Sequence, residues 1–391
     1  MVDDLMFSFH THAEQVGHLS AMTLYSYAIF QIPAGVIADK IGVRRTVLGS
    51  LFCCILGILI FSSTEHLWIA KIGKILLGTG SAAAFLCVSK VSATHFSPSK
   101  RATLFGLTMA IGTLGALNGS IPLTFLISKV GWRMSLQWIA LLGGIVFFIN
   151  FFFLKEKRPV KSISQATDLP LITPSWQDFF WIFKQKPAWI NAATALGMYL
   201  AISVVADLWG VAFITSSYGY SKAEAAATVS WIYAGLFIGS LVLTTVSDYF
   251  HVRNRLIQAS GFLICAMLFL VIFYPALPKF TLALLFFGIG FFSGSEMLCF
   301  TNASENADIA HSGTTTGFVN FVVMLGGAFI QGKVGERLDY FWRGSLDSQG
   351  MRLYSTESFQ NALSIIAITI GICALISFFL PKEDRGLSPL K

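Results

Sequence analysis

The sequence predicts an all-α polytopic membrane protein, and three observations lead to that class. Only 12% of its 391 residues are charged, whereas soluble domains carry about 25%. The mean hydropathy is +0.69. Apolar runs of about 20 residues, the length that spans a bilayer as a helix, recur along the whole chain. A helix also satisfies its own backbone hydrogen bonds inside lipid.

Eleven transmembrane helices are predicted, in two groups separated by a polar segment at 155–187. The first group covers 17–38, 46–63, 67–89, 102–127 and 134–154. The second group covers 188–215, 224–247, 255–276, 279–301, 313–336 and 359–380. The sequence therefore divides into an N-terminal half at 1–154, a linker at 155–187, a C-terminal half at 188–380 and a tail at 381–391.

The basic residues indicate orientation rather than a nucleic-acid partner. The net charge is +7, and most of the cations lie in the linker, the tail and the short loops on one side of the predicted bundle. Cytoplasmic loops of membrane proteins carry such an excess, so we expect the linker and the C-terminus to be cytoplasmic. The six cysteines all fall in apolar runs, which indicates small buried side chains rather than disulfides or metal ligands.

The two halves of the chain are related by an internal repeat. The segment GVIADKIGVRRT at 35–46 has a counterpart in TTVSDYFHVRNR at 244–255, which pairs Asp39 with Asp248 and Arg44 with Arg253. Further along, LLGTGSA at 76–82 parallels FFGIGFF at 286–292. Parallel repeats related by an axis along the membrane normal are one way in which secondary transporters are built.

The first copy of the repeat resembles the loop signature that the major facilitator superfamily carries between its second and third helices. The matching residues are Gly35, Asp39, Lys40, Gly42, Arg44 and Arg45. The resemblance extends over essentially the whole chain. It implies two pseudo-symmetric helical bundles, twelve helices and transport by alternating access.

One departure from that family concerns the first helix. The signature follows the first predicted span here, and residues 1–16 look like the outer loop that would follow a family helix 1. We therefore expect 1–154 to contain family helices 2–6 and 188–380 to contain helices 7–12, with helix 1 lost to a late start site or a truncation. The alternative is an eleven-helix protein whose N-terminus lies outside.

The signature residues are expected to form a cytoplasmic gate. Asp39 can accept hydrogen bonds at a helix N-terminus, where the helix dipole favours an anion, and the resemblance implies that this partner is the helix starting at 313–317. Arg44 and Arg45 would pair with Asp39 or lipid phosphate, and Asp248 with Arg253 would do the same in the second half. We interpret Lys40 as a topology signal only. Asp39→Asn should leave the protein folded and impair transport, and wild-type transport by this variant would contradict the gate.

Three charged residues inside spans are candidates for solute binding or coupling, because each costs about 2.5–3.5 kcal/mol at mid-bilayer on insertion scales. Glu296 is expected to face the central cavity as a counter-ion for an amine or as a proton carrier, or else to be a structural partner of a neighbouring cation. Lys74 occupies a place where the resemblance implies an arginine linked to coupling. Asp207 is either an outer-gate residue or an interfacial acid.

Polar and aromatic residues of the other spans are weaker candidates for a cavity lining, since aromatic side chains also pack or anchor at the interface. They are Tyr25, Gln137, Tyr199, Trp209, Trp231, Tyr233 and Asn320. The sequence contains no Walker motif, nucleophile–base pair or metal-ligand cluster. We therefore expect neither an enzyme nor a cofactor nor direct ATP drive.

The function predicted is secondary active or facilitative transport of a small polar solute across a bacterial inner membrane by a monomer, with protons as a candidate co-substrate. Glu296 and Lys74 together would fit a zwitterion. The segment ADLWG and the loop at 342–363 look similar to a bacterial branch related to lysosomal dipeptide transporters and to amino-acid transporters of intracellular bacteria. Amino acids, dipeptides, organic acids, sugar phosphates and siderophores all remain open. The alternatives are a drug or metabolite efflux antiporter and a non-transporting sensor or inactive remnant.

Overall fold

The fold is described from a computed structural model, which places residues 2–84, 86–88, 91, 108, 111–117, 119, 121–154, 181–307, 312–346 and 350–381. The backbone alone is described at 32, 35, 36, 39, 121, 312 and 313. The predicted tail beyond 381 and most of the predicted linker lie outside it as well.

The described chain is helical almost throughout. In the first part the helices are α1 (Val2–Ser8), α2 (Ala13–Ile41), α3 (Val43–Ser63), α4 (Leu67–Ser81) and α5 (Ile121–Phe153). In the second part they are α6 (Lys186–Leu200), a π-helix (Ala201–Trp209), α7 (Gly210–Tyr218), α8 (Lys222–Phe250), α9 (Arg253–Phe273), α10 (Lys279–Ser293), α11 (Glu296–Glu305), α12 (Ser312–Tyr340), α13 (Thr356–Ile376) and a short 3₁₀ turn (Ser377–Phe379). The only β-pairing in the placed residues is an isolated bridge between Leu346 and Arg352.

Nine helical segments of the placed residues are long and apolar enough to cross a membrane. They are Val43–Ser63, Leu67–Val88, Pro122–Phe153, Lys186–Tyr218, Lys222–Phe250, Arg253–Phe273, Lys279–Glu305, Thr314–Tyr340 and Thr356–Phe379. Eight of them each overlap one predicted span, and Pro122–Phe153 contains nearly all of 134–154 together with the end of 102–127. The predicted span 17–38 lies within α2 and is not among the nine, and the predicted span 102–127 is described only at 108, 111–117, 119 and 121–127.

The chain divides into two compact units. Unit 1 comprises Met1–Thr11 and Gln15–Trp176, and unit 2 comprises His12–Glu14 and Gln177–Lys391. The boundary between Trp176 and Gln177 falls within the segment at 155–187, which the sequence predicts to be a linker.

In unit 1, glycines bring the helices close together. A Cβ on Gly57 would meet the backbone of Gly73, and one on Gly73 would meet Gly57, so α3 and α4 touch through their main chains. A Cβ on Gly78 would meet the carbonyl of Thr23, which brings α4 against α2. Small residues that allow such an approach are the usual basis of helix association in membranes.

Two connections of unit 1 require glycine for its backbone freedom. Gly42 is the single residue between α2 and α3 and has φ 90°, and Gly131 breaks α5 into two helical parts with φ 79°. Residues with a side chain rarely adopt a positive φ of this kind. The break at Gly131 separates the ends of the predicted spans 102–127 and 134–154.

In unit 2, α8 and α10 meet along a line of glycines. A Cβ on Gly235 or Gly239 would collide with the backbone of α10, at Phe287 and Phe291, and a Cβ on Gly290 would collide with the carbonyl of Ile232. Gly294, at the break between α10 and α11, lies against the backbone of α8 in the same way. The two main chains are therefore in direct contact.

The helix lengths confirm the internal repeat and correct its register. Helices α2 and α8 both have 29 residues, α3 and α9 both have 21, and α4 and α10 both have 15. Counted from the helix starts, Thr23 matches Ile232 and Gly78 matches Gly290, and each glycine lies against the carbonyl of its partner residue. The sequence pairing of 76–82 with 286–292 is thus two residues out of register. The cause is the loop before α10, at 274–278, which is two residues longer than the loop before α4, at 64–66.

A charged cluster closes one end of unit 2 around Asp339. Its Oδ1 accepts from the Tyr354 hydroxyl at 2.5 Å and from Arg352 at 3.0 Å. Its Oδ2 accepts from the backbone N–H of Glu14 at 2.8 Å. Asp339 thus satisfies three donors at once, and Tyr354 in turn accepts from the N–H of Ala13.

Candidate functional site

Asp207 forms a polar pair with Tyr233 inside unit 2. Asp207 lies in the π-helix, within the span Lys186–Tyr218, and its Oδ1 accepts a hydrogen bond of 2.5 Å from the hydroxyl of Tyr233 on α8. Tyr233 is only 7% exposed, whereas Asp207 is exposed. A buried phenol therefore holds one oxygen of an accessible carboxylate.

Gln331 on α12 ties both ends of the π-helix to one position. Its side-chain amide donates to the carbonyl of Ser203 at 2.5 Å, and its backbone carbonyl accepts from the indole N–H of Trp209 at 3.3 Å. A π-helix replaces the usual backbone pairing with i→i+5 bonds and is frequent at functional sites. Ser203, Trp209 and Gln331 are almost fully buried. The two hydrogen bonds of Gln331, which we call the Gln331 clasp, therefore fix the segment that carries Asp207.

Glu296 is a buried carboxyl group at a break in its helix. It is 6% exposed and is the first residue of α11, after the turn at Gly294 and Ser295. Ser295 donates to the carbonyl of Phe292 and contacts the sulfur of Met198 on α6. Within the described residues Glu296 has neither a hydrogen bond nor an ion pair. The structural partner that the sequence analysis allowed for, a neighbouring cation, is thus not found there.

Lys74 is a half-buried cation on α4 in unit 1. Its Nζ lies 4.6 Å from the centroid of the Phe61 ring, and Phe61 packs on Phe9 and Trp132. Among the residues placed in the structure, no carboxylate pairs with Lys74. Lys71, one turn earlier, has its Nζ 4.2 Å from the ring of Trp68, which is 75% exposed. The two lysines therefore have different surroundings.

The gate signature in unit 1 is described in part. Gly42 makes the tight turn into α3, and Arg44 donates from Nη2 to the carbonyl of Phe151, near the end of α5, at 2.8 Å. Lys40 and Arg45 are exposed. Gly35 and Asp39 lie on α2, and α12 begins at Ser312, but the side chain of Asp39 falls outside the description. The gate contact of Asp39 stays a prediction.

The second copy of the signature has a partner that the sequence did not indicate. Arg253, at the start of α9, forms a two-point ion pair with Glu305 at the end of α11. Next to it, Asn254 accepts from Asn302 at 3.3 Å and donates to the carbonyl of Pro381 at 2.7 Å. Asp248 is exposed on the last turn of α8. The expected pairing of Arg253 with an acid is therefore present, but with Glu305 in place of Asp248.

The weaker candidates separate into different environments. Trp231 is 48% exposed against Phe287, whereas Tyr233 is buried on Asp207. Residues two apart on a helix point in different directions, and a cavity-lining role for either residue stays a prediction. Tyr199, Tyr25, Gln137 and Asn320 are half-buried on α6, α2, α5 and α12.

Sequence reasoning missed Gln331, Ser203 and Glu305. Gln331 left a signal, since an amide within the run AFIQGKV needs a buried partner. Ser203 and Glu305 left none, because a serine is ordinary in a span and a glutamate is ordinary at a helix end.

Paired helical repeats, the nine candidate spans of the described residues and the ionisable groups within them define a multi-pass membrane protein. The chain belongs to the Major Facilitator Superfamily, whose family model matches residues 1–330. The crystal structure of a mutant of the nucleoside transporter NupG matches it with a TM-score of 0.70 and 14% identity, covering 97% of this chain and 94% of that one. At this identity the match concerns the fold alone.

The chain also resembles two transporters of Bacillus subtilis, each over only part of their length. The chain is 29% identical over 153 residues to the uncharacterized transporter YybO of Bacillus subtilis, which covers 39% of this chain and 34% of that protein. It is 28% identical over 262 residues to the hexuronate transporter of the same organism, covering 64% of this chain and 59% of that protein. The aligned parts thus span about a third and three fifths of these two relatives.

Proposed function

We propose that this protein is a secondary transporter of a small polar organic anion. Lys74 carries the proposal, because it is a cation within a span, rests on an aromatic ring and has no carboxylate partner among the described residues. An ammonium group held in hydrocarbon is costly, so such a group is retained where a ligand can pair with it. The hexuronate transporter among the relatives is named for an anion.

Lys74→Gln tests this proposal against a matched control, Lys71→Gln. Purified protein in proteoliposomes is offered radiolabelled carboxylates, sugar acids, sugar phosphates and amino acids. For the transported solute, Lys74→Gln should weaken uptake about tenfold or more, because a hydrogen bond to a charged group contributes about 1.5–3 kcal/mol. Lys71→Gln should leave uptake close to wild type, since the ammonium group of Lys71 packs on the ring of Trp68, which is exposed. Equal uptake by both variants would contradict the proposal.

We assign proton coupling to Glu296. Its support is burial at a helix break without a hydrogen-bond or ion-pair partner in the described residues, because a buried carboxylate without a partner is costly. Among the described residues, Cys299, three residues further along α11, is close enough to interact electrostatically with Glu296. Glu296→Gln should keep solute exchange and lose accumulation driven by a pH gradient. Full accumulation by this variant would exclude the role, and Glu224→Gln, which changes a surface ion pair with Lys279, is the control.

A second candidate solute is a zwitterion, an amino acid or a dipeptide. Glu296 favours it as well, because an ammonium group would neutralise the buried carboxylate. The effect of Glu296→Gln separates the two cases, since exchange of a zwitterion would depend on Glu296, whereas exchange of an anion would not and only its coupling to the pH gradient would. The linker and the C-terminus are assigned to the cytoplasmic side, from the positive-inside bias of the loops.

A further inference from the structure

We propose that the π-helix of unit 2 presents a water-accessible subsite, formed by Asp207 and Tyr233, for a hydrogen-bond-donating group of the solute. This inference rests on the proposed transport function and deepens it, because it states which kind of solute group unit 2 would bind. The donor is a hydroxyl or an ammonium, which share the chemistry that a carboxylate recognises.

The first argument is the combination of depth and exposure at Asp207. The residue lies more than two turns inside either end of the span Lys186–Tyr218, and its side chain is nevertheless exposed, while Val204 and Val205 beside it are buried. A carboxylate that faced lipid there would be costly. The buried hydroxyl of Tyr233 approaches the same carboxylate from inside the unit, so the exposed side of Asp207 is a polar, water-accessible surface of the protein.

The second argument is the hydrogen-bonding capacity that remains free. The Tyr233 hydroxyl donates its hydrogen to Oδ1 of Asp207, and no bond to Oδ2 and no ion pair of Asp207 occurs within the described residues. The pair therefore offers acceptors only: Oδ2 and the lone pairs of the phenol oxygen. A group that donates hydrogen bonds fits this surface, whereas a carboxylate or phosphate would be repelled by it.

The third argument is that the position of Asp207 is fixed before a solute binds. The amide of Gln331 holds the carbonyl of Ser203, and the backbone carbonyl of Gln331 holds the indole of Trp209. The Ser203 hydroxyl and the Gln331 Oε1 are enclosed without a partner, and buried polar groups left in this way point to a site with a function beyond packing. Preorganisation of this kind reduces the entropy that binding costs.

Cysteine accessibility tests whether position 207 meets water. Asp207→Cys should react with a charged, membrane-impermeant methanethiosulfonate in lipid nanodiscs, detected as an added mass on the intact protein, and Val204→Cys should not react beyond the background of the native thiols. Absence of reaction at 207 in a folded variant would overturn the inference. If Asp207→Cys fails to fold, the neighbouring Leu208→Cys, which is half-buried, takes its place.

Ligand-induced thermal shifts test which group binds. The purified protein is titrated with matched acids: propanoate, lactate and alanine, then hexanoate, gluconate and norleucine. We expect the wild type to bind donor-bearing acids about tenfold or more tightly than the plain acids. Asp207→Asn and Tyr233→Phe should each reduce that preference, and Trp231→Phe, the neighbouring aromatic on α8, should keep it. A preference for lactate and gluconate identifies a hydroxyl, and a preference for alanine and norleucine identifies an ammonium.

The outcomes distinguish this inference from the proposed function. If Lys74→Gln loses all shifts while Asp207→Asn keeps the full preference, binding of an anion through Lys74 stands and the subsite is wrong. Equal shifts by plain and donor-bearing acids would also overturn the subsite. If no acid of the two series shifts the wild type, the anion proposal fails and the subsite fails with it.

Discussion

At the scale of single residues, the three ionisable groups inside spans differ in what surrounds them. Asp207 is exposed and held by Tyr233, Glu296 is buried at a helix break, and Lys74 rests on the face of Phe61. An exposed group can meet a solute directly, whereas a buried acid is better suited to holding a proton. The surroundings therefore support three different roles for groups that the sequence presents alike.

Tyr354 makes a pH-dependent contribution to stability that can be predicted with its sign. Burial, and then the hydrogen bond to Asp339, raise the pKa of Tyr354 above its ordinary value, which is about 10. The folded protein thus holds this proton more tightly than the unfolded chain does. The stabilisation is complete below pH of about 10 and is lost as the pH rises through the raised pKa.

Tyr354→Phe should therefore lower the apparent melting temperature in detergent at pH 8 and flatten its decline at alkaline pH. The hydrogen bond to the carboxylate of Asp339 contributes about 1.5–3 kcal/mol, as bonds to charged groups do. Tyr274→Phe, an exposed tyrosine on a loop of the same unit, is the control. A decline above pH of about 10 that is as steep as in the wild type would contradict this assignment.

The ionisable residues inside the spans could be found from the sequence, but the residues that pair with them could not. A charge inside an apolar run is visible in the sequence, which is how Lys74, Asp207 and Glu296 were found. Whether such a charge is paired depends on helices distant in the chain. Arg253 pairs with Glu305, 52 residues further on, and Gln331 clasps a segment 128 residues earlier.

At the scale of helices, glycines set the distance between α8 and α10. Gly290→Ala should destabilise unit 2 by about 1–3 kcal/mol or more, the range for overpacking, because its new Cβ meets the carbonyl of Ile232 rather than a flexible side chain. Gly144→Ala on α5 has nothing within 4 Å and should be neutral or slightly stabilising. Thermal unfolding in detergent compares the two variants, and equal melting temperatures would show that the helices do not touch there.

The π-helix is a second feature of this scale. Gln331→Met keeps the side-chain length but removes the donor to the Ser203 carbonyl, which should cost about 1–3 kcal/mol for a buried group left unsatisfied. Gln137→Met, at a half-buried position of α5, is the matched control. Unchanged stability of Gln331→Met would mean that the clasp does not hold the π-helix.

The helices themselves could largely be predicted from the sequence, because length and hydropathy alone indicate a membrane span. The π-helix over Ala201–Trp209 could not, since its apolar pattern is that of an ordinary helix and its register is stabilised by Gln331 on another helix. The repeat was found from the two copies of the gate signature. Its register at Gly78 and Gly290 was missed because a loop two residues longer before α10 is hidden among similar apolar residues.

At the scale of the whole molecule, helices of equal length recur in the two units, and Lys74 is the observation that carries the proposal of transport. A superfamily fold by itself does not establish transport, since a sensor could retain the same helices and bind a solute without moving it. Lys74, Glu296 and Asp207 are proposed to supply the chemistry for solute and proton, and movement across the bilayer is a separate property.

Solute counterflow in proteoliposomes tests that property most directly. Vesicles are loaded with an unlabelled acid that stabilises the purified protein and are then diluted into a trace of the same acid in labelled form. A transporter exchanges the two, so we predict a transient accumulation of label that Lys74→Gln reduces about tenfold. Binding of the acid to the purified protein without any accumulation of label would contradict the account and identify a sensor instead.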